Sequence, residues 1–411
     1  MTHCKRHRLN KIPTKNPKRY FGVTLVELMI AITIGSIVAL GIGSVYTSSK
    51  RSYKLQEEFS RLQENGRFAM NFIARFVRGA GYYGCSSALG NMVNNIDGTD
   101  EGLLFQTGIE GFEATGTAPG ETVSTLTEYP SVTADTTDFA SITSDISSTL
   151  IGKLKPIANT DILVARTGES SGVEIVENNQ SANFRITYTG GVGNKACDGT
   201  KDKLSGICPG DSLLISNCKN SLAFVVTNTT FHTASGSLTV DNVKIVHAKT
   251  NTVNGNENNE TSFTLGAAGP AYQYDTGSEI VRMTTKIFYI GKGVNGPALF
   301  VRDDIDAAGK ELVEGVENLQ VLYGVDKDAD NVPNHYVPAD KVDDFANVTA
   351  VHISILLRSI KNLPWRTTTQ ATRKLGGTTT ATATTVTPPA DKRLRKVMSM
   401  TIKLRNRAFT L

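Results

Sequence analysis

Hydrophobic and polar positions divide the chain into three regimes. From Val23 to Tyr46 the sequence is almost continuously apolar, broken by a single carboxylate, Glu27. A run of that length can cross a bilayer core as one helix, which needs about 20 residues. Beyond Tyr46 the chain turns polar. Leu55, Phe59, Leu62, Gly66, Ala69, Ile73 and Phe76 nevertheless recur at alternating steps of four and three, the period of an amphipathic helix. The pattern predicts one helix from Val23 to Gly79, with Lys50, Arg51, Lys54, Glu57, Glu58, Arg61 and Glu64 on its solvated side. Gly79, Gly81 and Gly84 then end it, as glycines do at left-handed caps.

The third regime begins after Cys85, where Thr, Ser, Gly and Asn surround short β-branched runs. Strands are predicted at 161–166, 212–216, 222–227 and 238–245, with 150–155 ambiguous. Residues 280–290 and 298–302 read as a hairpin. A short helical turn is expected at 311–316, followed by a strand at 319–325. Val351, Ile353, Ile355 and Leu357 alternate along one strand, and Met398, Met400, Ile402 and Leu404 along the last. Residues 251–260 and 367–389 have little apolar content and read as solvated or disordered loops. The fold class expected is α+β: one long helix whose outer half packs on antiparallel sheet with long insertions.

Charge changes this picture only at the N-terminus. Seven of the cationic residues lie in 1–22, with no Asp or Glu among them; removing them from the whole-chain net charge of +4 leaves about −3. Positive charge ahead of an apolar run predicts a cytoplasmic N-terminus with the remainder outside the cytoplasm. The apolar run is longer than a secretory h-region and has no A-x-A site at its far end, so the helix is expected to be retained. Cys4 lies in the basic head, leaving Cys85, Cys197, Cys208 and Cys218. An even count in an exported chain points to two disulfides, and four cysteines allow three connectivities. The pairing expected is Cys197–Cys208, closing a Gly-rich loop, and Cys85–Cys218, tying the helix end to the sheet. With no C-x-x-C and with His232, His247, His335 and His352 scattered, zinc ligation is not expected.

An ionised group near hydrocarbon costs on the order of 2.5–3.5 kcal/mol at mid-membrane depth, which makes Glu27 a functional candidate. Gly22-Val23-Thr24-Leu25-Val26-Glu27 resembles the type III signal peptide of type IV pilins and pseudopilins. The resemblance implies cleavage after Gly22 by a membrane prepilin peptidase, with Val23 as the N-methylated mature N-terminus. Val23 stands where that family usually has Phe or Met. Glu27 would pair with the new amine of a neighbouring subunit, each charge making the other tolerable at low dielectric. Such a contact is head-to-tail, and its repetition builds a helical filament.

Residues 61–69 and 80–85, then 277–282, 312–319, 351–359 and 404–407, resemble the PilW family of minor type IV pilins in order along the chain. The domains implied are a cleaved leader at 1–22, a pilin helix at 23–80 with 23–46 in the membrane, and a β-rich periplasmic part at 81–411. The function implied is a minor pilin that helps prime pilus assembly and sits in or near the tip. Its partners would be other minor pilins, the major pilin, the prepilin peptidase, the inner-membrane assembly platform and membrane lipid. The alternatives are a J-like minor pseudopilin of a type II secretion system, which residues 312–319 also resemble, and a periplasmic protein merely anchored by a pilin-like helix.

Asp326, Asp328 and Asp330 place oxygen ligands at positions 1, 3 and 5 of a loop, the way hard cations such as calcium are gathered. Asn331 stands where an EF-hand has its sharp-turn Gly, and Val337 where it has a bidentate Glu. A solvated acidic turn is the alternative. Gly168-Glu169-Ser170-Ser171-Gly172 has the nucleophile-elbow spacing, but a strand-like alternation follows it where a hydrolase needs a helix. Asp275-Thr276-Gly277-Ser278 occurs once, where an aspartic protease needs two carboxylates. No catalytic residue, no cofactor other than calcium and no nucleic-acid partner are expected.

Overall fold

The computed structural model describes residues 22–85, 92–98, 105, 107–124, 139–140, 148–178, 183–191, 197, 203–236, 238–249, 256–258, 274, 276–303, 309–367, 371–377 and 383–406. The chain divides into two units, residues 1–56 and 57–411, and the division falls inside the first helix.

Helix α1 (Leu25–Gly79) begins two residues later than its apolar pattern suggests, because Thr24 caps it: the Glu27 N–H donates to Thr24 Oγ1 at 3.2 Å. Strands β1 (Met92–Asn94), β2 (Ile96–Gly98), β3 (Ile109–Ala114), β4 (Thr122–Ser124) and β5 (Phe139–Ala140) follow. After α2 (Ser148–Leu154) come β6 (Ile162–Asn178), β7 (Asn183–Thr187), β8 (Ser212–Ser216) and β9 (Ser221–Val225). Next are β10 (Asn228–His232), β11 (Asn242–Val246), β12 (Asn256–Asn258), β13 (Glu279–Gly293) and β14 (Gly296–Asp303). The last third contains β15 (Lys310–Glu314), β16 (Val316–Val325), β17 (His335–Val337), β18 (Val348–Arg358), β19 (Arg373–Leu375), β20 (Thr384–Thr387) and β21 (Arg395–Lys403).

The largest sheet has the order β1-β9-β8-β13-β6-β7-β11-β10. Its long strand β13 changes partner along one edge: residues 279–282 pair with β8, and residues 286–293 pair with β14. A second, four-stranded sheet, β17-β16-β18-β21, is antiparallel throughout. In the second unit, the buried face of α1 is built from Leu62, Ala69, Met70, Ile73, Ala74 and Val77. It shares one core with Val351, Ile353, Ile355 and Leu357 of β18 and with Ile402 and Leu404. Helix and sheet meet closely at Gly66, where a Cβ would lie 2.2 Å from Met398 Sδ.

Several sequence expectations are corrected. Phe59 stays 44 % exposed under the Lys396 ammonium, whereas Glu58, expected on the solvated side, is buried within 3.9 Å of Lys361 Nζ. The covered face of the helix is thus rotated slightly from the apolar stripe, following residues 58, 62, 66, 69, 73 and 77 onto the sheet. The helical turn expected at 311–316 is a strand, because Leu299 pairs with Val313 and Phe300 with Glu311 across β14–β15. Gly315 then turns the chain at a φ of 78°, a left-handed conformation, into β16.

The loop expected at 251–260 contains β12, and Asn258 is buried there, donating to the carbonyls of Val225 and His247. The other residues of that span lie outside the described ones. Residues 367–389 contain β19 and β20, because Leu375 and Val386 find cover against Leu356. The strand expected at 238–245 starts at Asn242, since Asp241 is held in a turn by the Ala234 N–H. The ambiguous 150–155 segment is helical as far as Leu154 in α2, and Lys155 leaves the helix at a φ of 51°.

Candidate functional site

The helix start is built from local chemistry. Thr24 supplies the N-cap, and Glu27 occupies the third helical position, so Thr24 and Glu27 have capping-box spacing. Gly22, Val23 and Glu27 are exposed, as are all residues from 22 to 56. The hydroxyls inside the apolar run are satisfied within the helix: Thr33 donates to Met29 O at 2.7 Å and Ser36 to Ile32 O at 2.7 Å. A helix of that composition leaves Glu27 as the one ionisable side chain between Val23 and Tyr46. The leader before Gly22, including Cys4, lies outside the described residues.

The other end of α1 is fixed by residues distant in sequence. The carbonyl of Gly79 accepts from Thr167 Oγ1 at 2.8 Å and from Asn406 Nδ2 at 3.2 Å. Gly81 donates to the carbonyl of Arg166, and Arg405 to that of Arg78. Just beyond, Cys85 is bonded to Cys218, and its N–H donates to Glu279 Oε2 at 3.0 Å. Cys197 is bonded to Cys208, closing the turn before β8. Among the three connectivities open to four cysteines, the structure contains the pairs 85–218 and 197–208.

Asp326, Asp328 and Asp330 lie together after β16, each offering a carboxylate oxygen within 4.8 Å of the others. Asp326 is buried and accepts from the N–H groups of Asp328, Ala329 and Asn331. Asn331 adopts a φ of 63°, so it performs the left-handed turn for which an EF-hand uses Gly. The hard oxygen set and this turn fit a calcium ion held by Asp326, Asp328 and Asp330. Val337 supplies no closing carboxylate; it lies in β17, paired with Tyr323.

The two enzyme-like motifs lie in a strand and at a turn. Gly168 to Gly172 runs through the middle of β6, and Ser171 Oγ donates to the carbonyl of Ile280 across the ladder. Thr276 and Gly277 form a turn into β13, with Gly277 at a φ of 96°. Asp275 lies outside the described residues.

Sequence reading missed three buried polar groups. Arg166 pairs with Glu110 at 2.6 Å, and Arg395 is gripped by Glu317 and Asp391. In the third, the Thr117 hydroxyl lies 3.0 Å from Glu113 Oε1 and 3.4 Å from Asp161 Oδ1. Asp161 also accepts from the N–H groups of Ala114 and Val321, tying β3 to β16. Burial pushes the Glu113 carboxyl up to about 10, with the nearby Asp161 charge adding to the rise. Burial likewise raises Asp161 to about 7, against the backbone donors that favour its charge. Glu113 therefore holds its proton at neutral pH. The available signal was an acid in an apolar strand: Asp161 directly precedes Ile162-Leu163-Val164.

A long apolar helix carrying the pilin-type start, followed by a sheet-rich part, defines the class. Residues 17–43 match the prokaryotic N-terminal methylation motif, so the start of the chain is similar to that of type IV pilus-related pilins. More particularly, residues 287–406 match the family described as Type IV Pilus-assembly protein W, so the chain carries the PilW signature together with the type IV pilin motif. That match runs from β13 to Asn406 and takes in the four-stranded sheet. No curated protein and no solved structure gives a significant match.

Proposed function

We propose that this chain is a PilW-like minor pilin that helps prime pilus assembly and is incorporated in or near the pilus tip. The prepilin peptidase cuts after Gly22, and the amine of Val23 becomes the mature N-terminus. The N-terminus faces the cytoplasm, and the β-rich part is periplasmic until assembly carries it to the surface. Other minor pilins, the major pilin and the inner-membrane platform are its partners. The observation that carries this reading is the lone carboxylate of Glu27, exposed at the capped start of α1 and followed by no other charge up to Tyr46. Burying it in lipid is tolerable only against a cation, and the amine of an adjacent pilin supplies one.

The test replaces Glu27 by Ala in a piliated host and measures membrane insertion and recovery in sheared pili. Insertion should be unchanged, and incorporation should fall at least tenfold. Undiminished incorporation would overturn the assembly role. Identifying the pilins that co-purify separates the minor-pilin reading from a secretion pseudopilin.

Calcium at Asp326, Asp328 and Asp330 is part of the same proposal. Bound there, it supplies a positive charge that relieves the repulsion of three adjacent carboxylates, and the turn between β16 and β17 stiffens.

A further inference from the structure

Beside the C-terminal end of α1 lies a pocket of about 380 Å³ that nothing above employs. Arg78, Lys403 and Arg405 line it, with Thr349, Thr401 and Asn331. Thr401, Lys403 and Arg405 alternate with the buried Ile402 and Leu404, so the strand end presents these three to one side. The Arg405 N–H donates to the carbonyl of Arg78 at 3.4 Å, which brings the helix cation to the same place.

What distinguishes the pocket is unbalanced charge. Among the described residues, Arg78, Lys403 and Arg405 make no ion pair and no side-chain hydrogen bond. Arg166, Arg185, Arg282, Lys286 and Arg395 each have a carboxylate. The acidic turn ends at Asn331 on the pocket wall, yet no ion pair joins its carboxylates to these three cations. A helix C-terminus attracts cations, but its end is equivalent to only about half a negative charge. Here the terminal Gly79 carbonyl already accepts three hydrogen bonds, from Thr167, Asn406 and the Tyr82 N–H. Three cations against half a charge leave more than two positive charges with no paired counterpart among the described residues, in a chain whose residues 23–411 are net negative.

We propose that this pocket binds a compact oxyanion, a carboxylate or phosphate group, gripped by Arg78, Lys403 and Arg405. Guanidinium forks match two oxygens of either group, and a lysine adds a point charge. The oxyanion comes either from a free phosphate or from an acidic side chain of a partner protein.

The test uses the mature full-length chain in nonionic detergent. It is titrated calorimetrically with inorganic phosphate and, separately, with a Glu-containing hexapeptide, at ionic strength held constant with NaCl. Saturable one-to-one binding is expected for at least one probe, at least tenfold weaker in the Lys403→Ala/Arg405→Ala double variant. The charge-conserving Lys403→Arg/Arg405→Lys variant should recover most of it. Both side chains are exposed, so the melting temperature without ligand should match that of the unaltered chain and serve as the folding control. Phosphate binding alone identifies a free ion as the ligand; peptide binding alone identifies a partner's carboxylate. Heats that neither saturate nor differ between the unaltered chain and the double variant would overturn the proposal.

Discussion

Asn406 donates its side-chain amide to the carbonyl of Gly79 at 3.2 Å, joining residues 327 apart at the exact end of α1. The last residues of a helix leave carbonyls with no partner inside it, and here the exit of the last strand supplies one. Thr167 Oγ1 shares the same oxygen at 2.8 Å. Asn406→Ala should therefore cost only about 1 kcal/mol, because the carbonyl keeps the Thr167 hydroxyl and the Tyr82 N–H as donors. Combining it with Thr167→Val leaves that oxygen only the Tyr82 N–H at 3.2 Å, and because the two side chains share one acceptor their effects should not be additive. Urea unfolding of the three variants measures both.

The Glu113 and Asp161 carboxyls give stability a definite slope with pH. Both have folded pKa values raised above the ordinary 4.5 and 3.8, so the folded chain binds more protons than the unfolded one. Their contribution is then most favourable below about pH 4 and declines as pH rises toward the folded values near 7 and 10. Between pH 5 and 9 the melting temperature should fall. In Glu113→Gln, which keeps the Thr117 partner without an ionisable proton, that fall should be visibly smaller. Equal slopes in the two proteins would mean the pair is not the source.

The two disulfides should differ in what they contribute. Cys85–Cys218 spans 133 residues and Cys197–Cys208 only 11. On a chain-entropy account these constrain the unfolded chain by about 5 and about 3 kcal/mol. Replacing Cys85 and Cys218 by Ser should lower stability more than replacing Cys197 and Cys208. Denaturant midpoints of the two double variants decide it.

Calcium at the acidic turn should raise the melting temperature of the full chain in detergent, and chelation should lower it again. Asp328→Asn/Asp330→Asn should abolish the response while leaving the metal-free melting temperature within a degree or two, because both side chains are exposed. No response to calcium in the unaltered chain would remove the ion from the account.

Much of the helix and the sheet was legible because periodicity is a local property. Val23 to Tyr46 and the alternation of Ile353, Ile355, Ile402 and Leu404 report which backbone state buries them, whatever lies opposite. The 373–375 and 384–387 strands were hidden because Arg373, Lys374 and the threonines of 384–387 carry little apolar signal, and only Leu356 beneath them shows what Leu375 and Val386 cover. Glu58 misled for the same reason: a charge reads as solvated until Lys361 arrives from 303 residues away.

The sequence by itself determined the long apolar helix, its pilin-type start motif, the isolated Glu27 and the even set of cysteines in the rest, all consequences of residue order within short windows. Only the tertiary structure decided which face of α1 is covered, which cysteines pair and which carbonyl Asn406 caps. It alone brings three cations around one pocket with no ion pair to any of them among the described residues. Those outcomes depend on distances between residues far apart in the chain, which are set when the last strand is laid beside β18 and over the helix.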